Sequence, residues 1–425
     1  MKSVLQTLRS RGLVSALTHP GFEEACTGKS VYWGIDPTAD GLHVGHLVGV
    51  MTLRRFQQHG YQPIALVGGA TGMIGDPSGR NSERQFLSAA DVATNVEGIQ
   101  TDLSKLLDFD GSLNPAKMVN NYDWYKNMSA IDLLRDVGMH FRVNTMLSRD
   151  SVKSRLDSDG LTFTEFSYQL LQGYDFMHLY ENENCRLQIG GSDQWGNIVS
   201  GVDLIRRSFH KQDAFGLTIP LLTTSSGEKI GKSAGNAVWL HPKKTSDYLF
   251  YQYFVNLADA DVEGLLMKLT DLSLQEIEMA MLEHVKQPHL RSAQKLLAET
   301  VTGIVRNKNA VTRAQKASEI LFGGAIGDIN AAQLIEISQG ANVPCTEVSA
   351  SSMNSISNAD LAVLSGICKS KTQAKKLVLS GGLYINNIRV EIPEKLFDIS
   401  ADTIGGSAVL LRSGKKNYHV IKILN

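Results

Sequence analysis

Tyr32-Trp33-Gly34-Ile35-Asp36-Pro37-Thr38-Ala39-Asp40-Gly41-Leu42-His43-Val44-Gly45-His46 runs from a strand through a turn into a helix. Val31 to Ile35 is an apolar, β-branched run, and Leu42 to His59 has helical periodicity, entered through Asp36-Pro37-Thr38. The same rhythm recurs. Pro63 to Gly69 is an apolar run ending in glycines, and Cys185 to Gly190 is followed by Gly191-Ser192-Asp193-Gln194 and a helix from about Asn197 to Arg207. Strand, glycine turn and helix in repetition predict an α/β fold. Its sheet is parallel, covered by helices, with ligands at the strand C-termini. His43 and His46 are three residues apart, so they share a face at the first helical turn. Free N–H groups and the positive end of the helix dipole make that turn a place for phosphate.

A second motif follows about 180 residues later: Lys229-Ile230-Gly231-Lys232-Ser233. It is not a Walker A loop, because three residues rather than four separate Gly227 from Gly231-Lys232-Ser233. What remains is a loop with two ammonium groups suited to departing pyrophosphate. Together the two motifs hold a nucleoside triphosphate from two sides and predict activation of a carboxylate with ATP. Asp76 sits in Gly75-Asp76-Pro77-Ser78-Gly79, at another strand end. Tyr168, Gln172 and Asp175 fall at i, i+4 and i+7, on one helix face, and line a polar pocket. Asp193 and Gln194 follow a Gly-Gly turn that admits close approach of a ribose or amine. Singly, each has a plainer reading: histidines at chance spacing, a solvated lysine turn, an amphipathic helix edge.

At 425 residues the chain predicts two to three domains, and its 43% apolar and 20% charged composition is that of a globular protein. No apolar run reaches the roughly 18 residues of a membrane span. Cys26, Cys185, Cys345 and Cys368 are scattered, which argues against zinc and for a reducing compartment. The first 22 residues carry Lys2, Arg9 and Arg11 and no acid. They read as an opening helix, with a transit peptide as the alternative. The net charge is −1, but residues 351–425 hold ten Lys/Arg against five Asp/Glu, a basic end suited to phosphates. We divide the chain into a catalytic domain at 1–244, with a helix-rich insertion at about 85–165, and a helical domain at 245–340. A serine-rich linker at 341–358 precedes a small domain at 359–425. The last contains two short helices and a hairpin, Leu383-Tyr384-Ile385 and Ile388-Arg389-Val390 about Asn386-Asn387.

With these residues in hand, the stretch from Tyr32 to His46 resembles the first signature of tyrosyl-tRNA synthetases. The runs Val67 to Gly79, Phe163 to Phe176, Gln188 to Asn197 and Lys229 to Ser233 match in the same order. The resemblance implies a Rossmann-like class I catalytic domain with an insertion, then a helical domain on the anticodon side, then an S4-like RNA-binding domain. The last rests chiefly on Ser370 to Val390. It implies that Tyr32 and Asp175 hold a tyrosine phenol, Asp76, Tyr168 and Gln172 its ammonium group, with Gln194 beside its carboxylate. Thr38, His43, His46, Lys229, Lys232 and Ser233 form the implied catalytic set around the triphosphate. Asp36, Gly45, Gly191, Asp193 and Ile230, with His46 and Lys232, hold the rest of ATP. Trp33 departs from the pattern, since many relatives have a small cysteine near the ribose. Implied partners are L-tyrosine, ATP with Mg²⁺, tRNA(Tyr) and a second copy of the chain in a homodimer. No protein-bound zinc, organic cofactor or membrane is expected. The expected location is the cytoplasm, with a mitochondrial or plastid matrix as the alternative. A His-x-Gly-His nucleotidyltransferase shares the first motif but has no use for Tyr168, Gln172, Asp175 or a basic tail. A non-catalytic RNA-binding relative would have lost the motifs that are present here.

Overall fold

A six-stranded sheet is built from β1 (Ala16–Leu17), β2 (Ser30–Ile35), β3 (Gln62–Val67), β4 (Lys117–Asn120), β5 (Cys185–Gly191) and β6 (Phe215–Ile219), most of them short apolar runs bounded by turn residues. The computed structural model describes residues 3–78, 87–111, 113–156, 160–228, 230–233, 236–327, 329–353 and 355–424. The strand order is β1-β6-β5-β2-β3-β4. All neighbours are parallel except the edge pair β1 and β6. From β2 the chain moves outward through β3 to β4 and then returns to the other side of β2 as β5. The crevice between the C-terminal ends of β2 and β5 is therefore the topological switch point.

The sheet lies among α1 (Leu47–Gln58), α2 (Ala89–Leu103), α3 (Phe163–Asn182) and α4 (Trp195–Phe209). Because β2 is buried on both faces, it is a nearly continuous apolar run rather than an alternating one. Tyr32 packs on Phe176 of α3, with ring centroids 5.4 Å apart. Trp33, next in the strand, goes to the opposite face, against α1. Where α3 and α4 cross, a Cβ on Gly201 would stand 3.1 Å from the Phe176 ring and 3.5 Å from the Gly173 Cα. Two glycines permit that close approach. The N-terminus of α3 is closed by a capping box between Thr162 and Glu165.

The chain forms two compact units, residues 1–241 with 257–305, and residues 242–256 with 306–425. The segment expected as one helical domain, 245–340, is thus shared between them. Helices Asp259–Leu269, Leu274–Lys286 and Ser292–Val305 belong with the sheet. The reason is visible at the C-terminal end of the first. Buried Arg55 of α1 donates to the carbonyls of Lys268 (2.9 Å) and Thr270 (2.7 Å), and Arg11 to those of Met267 (2.9 Å) and Leu272 (2.5 Å). Carbonyls that a helix leaves unpaired are satisfied by cations from the sheet side. The insertion also supplies β4, a strand too short and polar to read in sequence. β7 (Lys232–Ser233) and β8 (Asn236–Ala237) make a small hairpin at the second motif.

The second unit contains helices Asp247–Val255, Lys308–Leu321 and Ala331–Gly340. It also holds a sheet of β9 (Cys345–Ser349), β10 (Leu383–Ile385), β11 (Ile388–Arg389), β12 (Ala408–Ser413) and β13 (Asn417–Leu424). Its order is β11-β10-β12-β13-β9. β9 corrects the expectation of a linker at 341–358. The stretch is polar, but Val348 and Met353 anchor it in the core, and its backbone pairs in parallel with β13. The hairpin turns where expected, with Asn386 at φ 49° and Asn387 at φ 63°. Two consecutive left-handed residues of this type make the turn that suits hairpin twist.

Candidate active site

At the switch point lies a cleft of about 430 Å³. Tyr32, Asp36, Thr38, His43, Gly45, His46, Asp76, Tyr168, Gln172, Asp175, Gly191, Asp193, Gln194 and Ile230 all line it. Of the expected site residues, Lys229 lies outside the described residues. Lys232 and Ser233 are placed through the backbone of β7.

One end of the cleft is acidic and buried. Asp175, 2% exposed, accepts hydrogen bonds from Trp124 Nε1 at 2.9 Å and Asn121 Nδ2 at 3.0 Å. Burial nevertheless raises its pKa to about 7, because removal from water outweighs the donors, Asn121 first, that favour its charge; nearby Asp36 also raises it. The Tyr32 hydroxyl is buried beside it without a hydrogen-bond partner among the described residues. Burial first, then the Asp175 charge, pushes its pKa well up, so it is a neutral O–H. Gln188, which faces Tyr32 across β2 and β5, likewise leaves its buried Oε1 unpaired among the described residues. Unpaired buried groups cost free energy unless something meets them. Their clustering in one cavity marks a polar ligand's end.

A hydrogen-bonded layer fixes this end. Asn121 also donates to Thr71 Oγ1 (3.0 Å), Thr71 donates to Asp36 Oδ1 (2.7 Å), and the Tyr168 hydroxyl donates to Asp36 Oδ2 (2.8 Å). With its proton committed to Asp36, Tyr168 can offer only a lone pair to a ligand. Asp76 accepts from Gln194 Nε2 (2.7 Å), Ser78 N (2.9 Å) and Asn197 Nδ2 (3.4 Å). The result is an acceptor-rich wall suited to an ammonium group. Thr71, Asn121 and Gln188 were not singled out from sequence, and Trp124 only as part of an apolar segment expected at a dimer interface. Three of them act mainly on other side chains, and neither their spacing nor their type announces that.

The other end presents donors. The chain does not enter a helix at Leu42 but makes a single 3₁₀ turn, Val44–His46, before α1. The reason is mutual capping. His43 Nδ1 accepts from Gly45 N at 3.0 Å, and His46 Nδ1 accepts from His43 N at 3.2 Å. Both rings therefore carry their proton on Nε2 and can donate it outward. They stack at 3.9 Å. Loss of water around His46, and then the neighbouring ring of His43, lower its pKa to about 3, so it is neutral at pH 7. The second motif packs directly on this turn. Gly231, at φ 105°, would bring a Cβ to 2.7 Å from Gly45 N, so only glycine fits. Val44 N donates to Val238 O at 2.9 Å, and Ile230 N to Leu222 O at 2.9 Å.

Trp33 is accommodated by Gly49. A Cβ on Gly49 would stand 2.4 Å from Cζ2 of Trp33, so the indole lies on bare helix backbone one turn beyond His46. Among the described residues, no group of three or more His, Cys, Asp or Glu side chains could hold a metal ion.

Residues 26–323 match the model of class I tRNA synthetases for tryptophan and tyrosine, and residues 336–421 match that of the C-terminal domain of tyrosine–tRNA ligases. The chain is 46% identical over 427 residues to the tyrosine–tRNA ligase of Rhodopirellula baltica, covering 99% of this chain and 96% of the relative. It belongs to the tyrosyl class I synthetases. A tyrosine–tRNA ligase 1 of Bacillus cereus is 47% identical over 423 residues, covering 99% of both chains. Among solved structures, a C-terminally truncated mitochondrial tyrosyl-tRNA synthetase of Aspergillus nidulans is 31% identical with a TM-score of 0.67. It covers 76% of this chain and 95% of that one. Within this family the resemblance stated from the motifs holds over the full length, and a free-standing nucleotidyltransferase is set aside.

Proposed function

We propose that the cleft joins the carboxylate of L-tyrosine to the α-phosphate of ATP, and that the tyrosyl group then passes to the 3′ end of tRNA(Tyr). The observation that carries this reading is the pairing of two ends in one cavity. The unpartnered Tyr32 hydroxyl and the Asp175 carboxylate lie at one, and His43 and His46, each with its proton on Nε2, line the other. The phenol of tyrosine both donates to Asp175 and accepts from Tyr32. The lone pair of Tyr168, with Asp76 and Gln172, takes the ammonium group. A substrate carboxylate is ionised at pH 7, so no general base is needed. Its oxygen attacks the α-phosphorus as the bond to pyrophosphate breaks. The work of the site is alignment, and stabilisation of charge gathering on the leaving pyrophosphate.

Neutral His43 and His46 serve this as N–H donors, Thr38 as a hydroxyl donor, and Lys229 and Lys232 as cations, with Ser233 beside them. ATP enters as its Mg²⁺ complex. Asp36, Gly45, Gly191, Asp193 and Ile230 complete the nucleotide's surroundings. In the second step a ribose hydroxyl of the tRNA attacks the adenylate carbonyl and AMP leaves. The basic 351–425 region, as an S4-like domain, contacts the RNA. We assign the enzyme to a reducing cytoplasm, in keeping with its four free cysteines.

The working form is a homodimer. In the segment Tyr122–Leu147, Trp124 and Tyr125 point inward, Tyr125 to the Leu171 carbonyl at 2.7 Å. Ile131, Leu134, Met139 and Val143 are 69%, 53%, 66% and 61% exposed. Such apolar exposure on one segment is the mark of a self-complementary contact. Light scattering at micromolar concentration should give twice the chain mass, and a monomer there would refute the assignment.

The reaction is tested by ATP–pyrophosphate exchange with each of the twenty amino acids. Tyrosine alone should support it. Tyrosyl enzymes as a class favour tyrosine over phenylalanine by about 10⁵. Comparable exchange with phenylalanine would sink the pocket assignment.

A further inference from the structure

The loop Pro37–Leu42 carries Thr38 to the cleft and delivers the chain to His43. It is held from behind by α2. Asn95, Gly98 and Asp102 fall at i, i+3 and i+7, on one face of that helix. Asn95 Nδ2 donates to the Pro37 carbonyl at 2.9 Å. Gly98 lies against Asp40 so closely that a Cβ would stand 2.6 Å from its carbonyl oxygen. Asp102, 3% exposed, accepts the Leu42 N–H at 2.9 Å through Oδ2. Gly41, at φ 150°, would carry a Cβ only 3.0 Å from that same oxygen. On the far side, the Leu42 carbonyl accepts from Leu240 N at 2.8 Å. Leu42 is thus a junction between α2 and the segment that follows the second motif. No residue of α2 lines the cleft.

We infer that α2 is the template that sets the triphosphate loop, with Asp102 as its principal positioning residue and Gly98 fixing the distance. The inference rests on the reading of the cleft as an ATP site. A buried carboxylate on a backbone N–H is a strong, directional tie. It stands immediately before the residue whose own N–H caps His46. Displacing Leu42 therefore displaces both imidazoles relative to the α-phosphate, and misplacement by about 1 Å can cost on the order of 10²-fold in rate.

The test is ATP–pyrophosphate exchange by the full chain, with KM for ATP, KM for tyrosine, kcat and thermal midpoint measured for each variant. Asp102→Ala and Gly98→Ala should each lower kcat/KM for ATP at least about tenfold. KM for tyrosine should stay within about twofold. Asp102→Asn, whose amide oxygen can still accept the Leu42 N–H, should recover to within about threefold of wild type. Folded Asp102→Ala with unchanged ATP kinetics would overturn the inference. So would equal losses toward both substrates, which would mark a purely structural role. Should Asp102→Ala not fold, Gly98→Ala is judged by the same criteria. Wild-type chain without tyrosine-dependent exchange would instead defeat the parent reading.

Discussion

Replacing Asp175 by Asn should weaken tyrosine binding and remove its pH dependence. In the wild type the Asp175 pKa stands at about 7, chiefly through burial. Only the carboxylate is an acceptor at both oxygens, so tyrosine affinity follows its ionised fraction. That fraction is about nine-tenths at pH 8 and about one-tenth at pH 6, and Kd should rise roughly tenfold between them. The Asn side chain has one acceptor oxygen where Trp124 and Asn121 present two N–H donors, at 2.9 and 3.0 Å. One buried donor is then left facing an amide N–H, at a cost of about 1–3 kcal/mol to the pocket. The ligand's phenol also loses a charged acceptor, worth about 1.5–3 kcal/mol, so affinity should fall on the order of 10- to 150-fold. Phenylalanine, with no hydroxyl to lose, should be much less affected. The stability sign follows from the same pKa. The native carboxyl holds its proton to higher pH than the unfolded one, which titrates near 3.8. Its stabilisation is complete below that value and is lost as pH rises through about 7. The unliganded wild type should therefore gain stability over the variant as pH falls from 8 to 4. Equilibrium tyrosine binding read by tryptophan fluorescence at pH 6 to 8.5, with thermal melts alongside, tests both. A wild-type Kd flat across that range, or an Asn variant with the wild-type profile, would refute the reasoning.

His43→Ala and Lys232→Ala should slow adenylate formation roughly 10²–10³-fold while leaving tyrosine affinity near wild type, since the lost donors meet charge that grows in the transition state. Stopped-flow separates the two quantities, and a full rate with weakened tyrosine binding would contradict the roles. Gly49→Ala places a Cβ 2.4 Å from the Trp33 ring and should cost about 1–3 kcal/mol of stability through overpacking. In a Trp33→Ala background the same Gly49→Ala change should cost much less in a denaturant titration, and additive losses would contradict direct contact. Removing residues 342–425 should spare tyrosine-dependent exchange and impair tRNA charging, and the part of tRNA affinity lost should be the salt-sensitive part. Unimpaired charging would show that the region does not carry the RNA contact.

How far the sequence carried the fold and the site depended on whether a residue's work is local. β2, β3 and β5 were legible because strands buried on both faces must be apolar throughout, and each ends in glycine, proline or aspartate where the chain turns. β1 has two residues and β4 four, with Lys117 and Asn120 at its ends, so their pairing is a property of the sheet rather than of their composition. The same holds for β9, a polar Cys-Thr-Glu-Val-Ser strand in which Val348 alone is buried. In the cleft, Tyr168, Gln172 and Asp175 were visible because one helix face aligns them. The layer behind them was not. Asn121 and Trp124 matter because they point at Asp175 from an insertion some 50 residues earlier in the chain. Trp33 stood out by its size, but Gly49 did not, although each explains the other. A strand residue and a helix residue become complementary only once the crossover has brought them together. The same logic applies to Asp102 and Leu42, where a carboxylate in an ordinary amphipathic helix gains its purpose from a backbone N–H 60 positions away. Ligand-facing chemistry leaves a motif because several side chains must converge from one short segment. Supporting chemistry leaves none, since any element that reaches the right atom will serve.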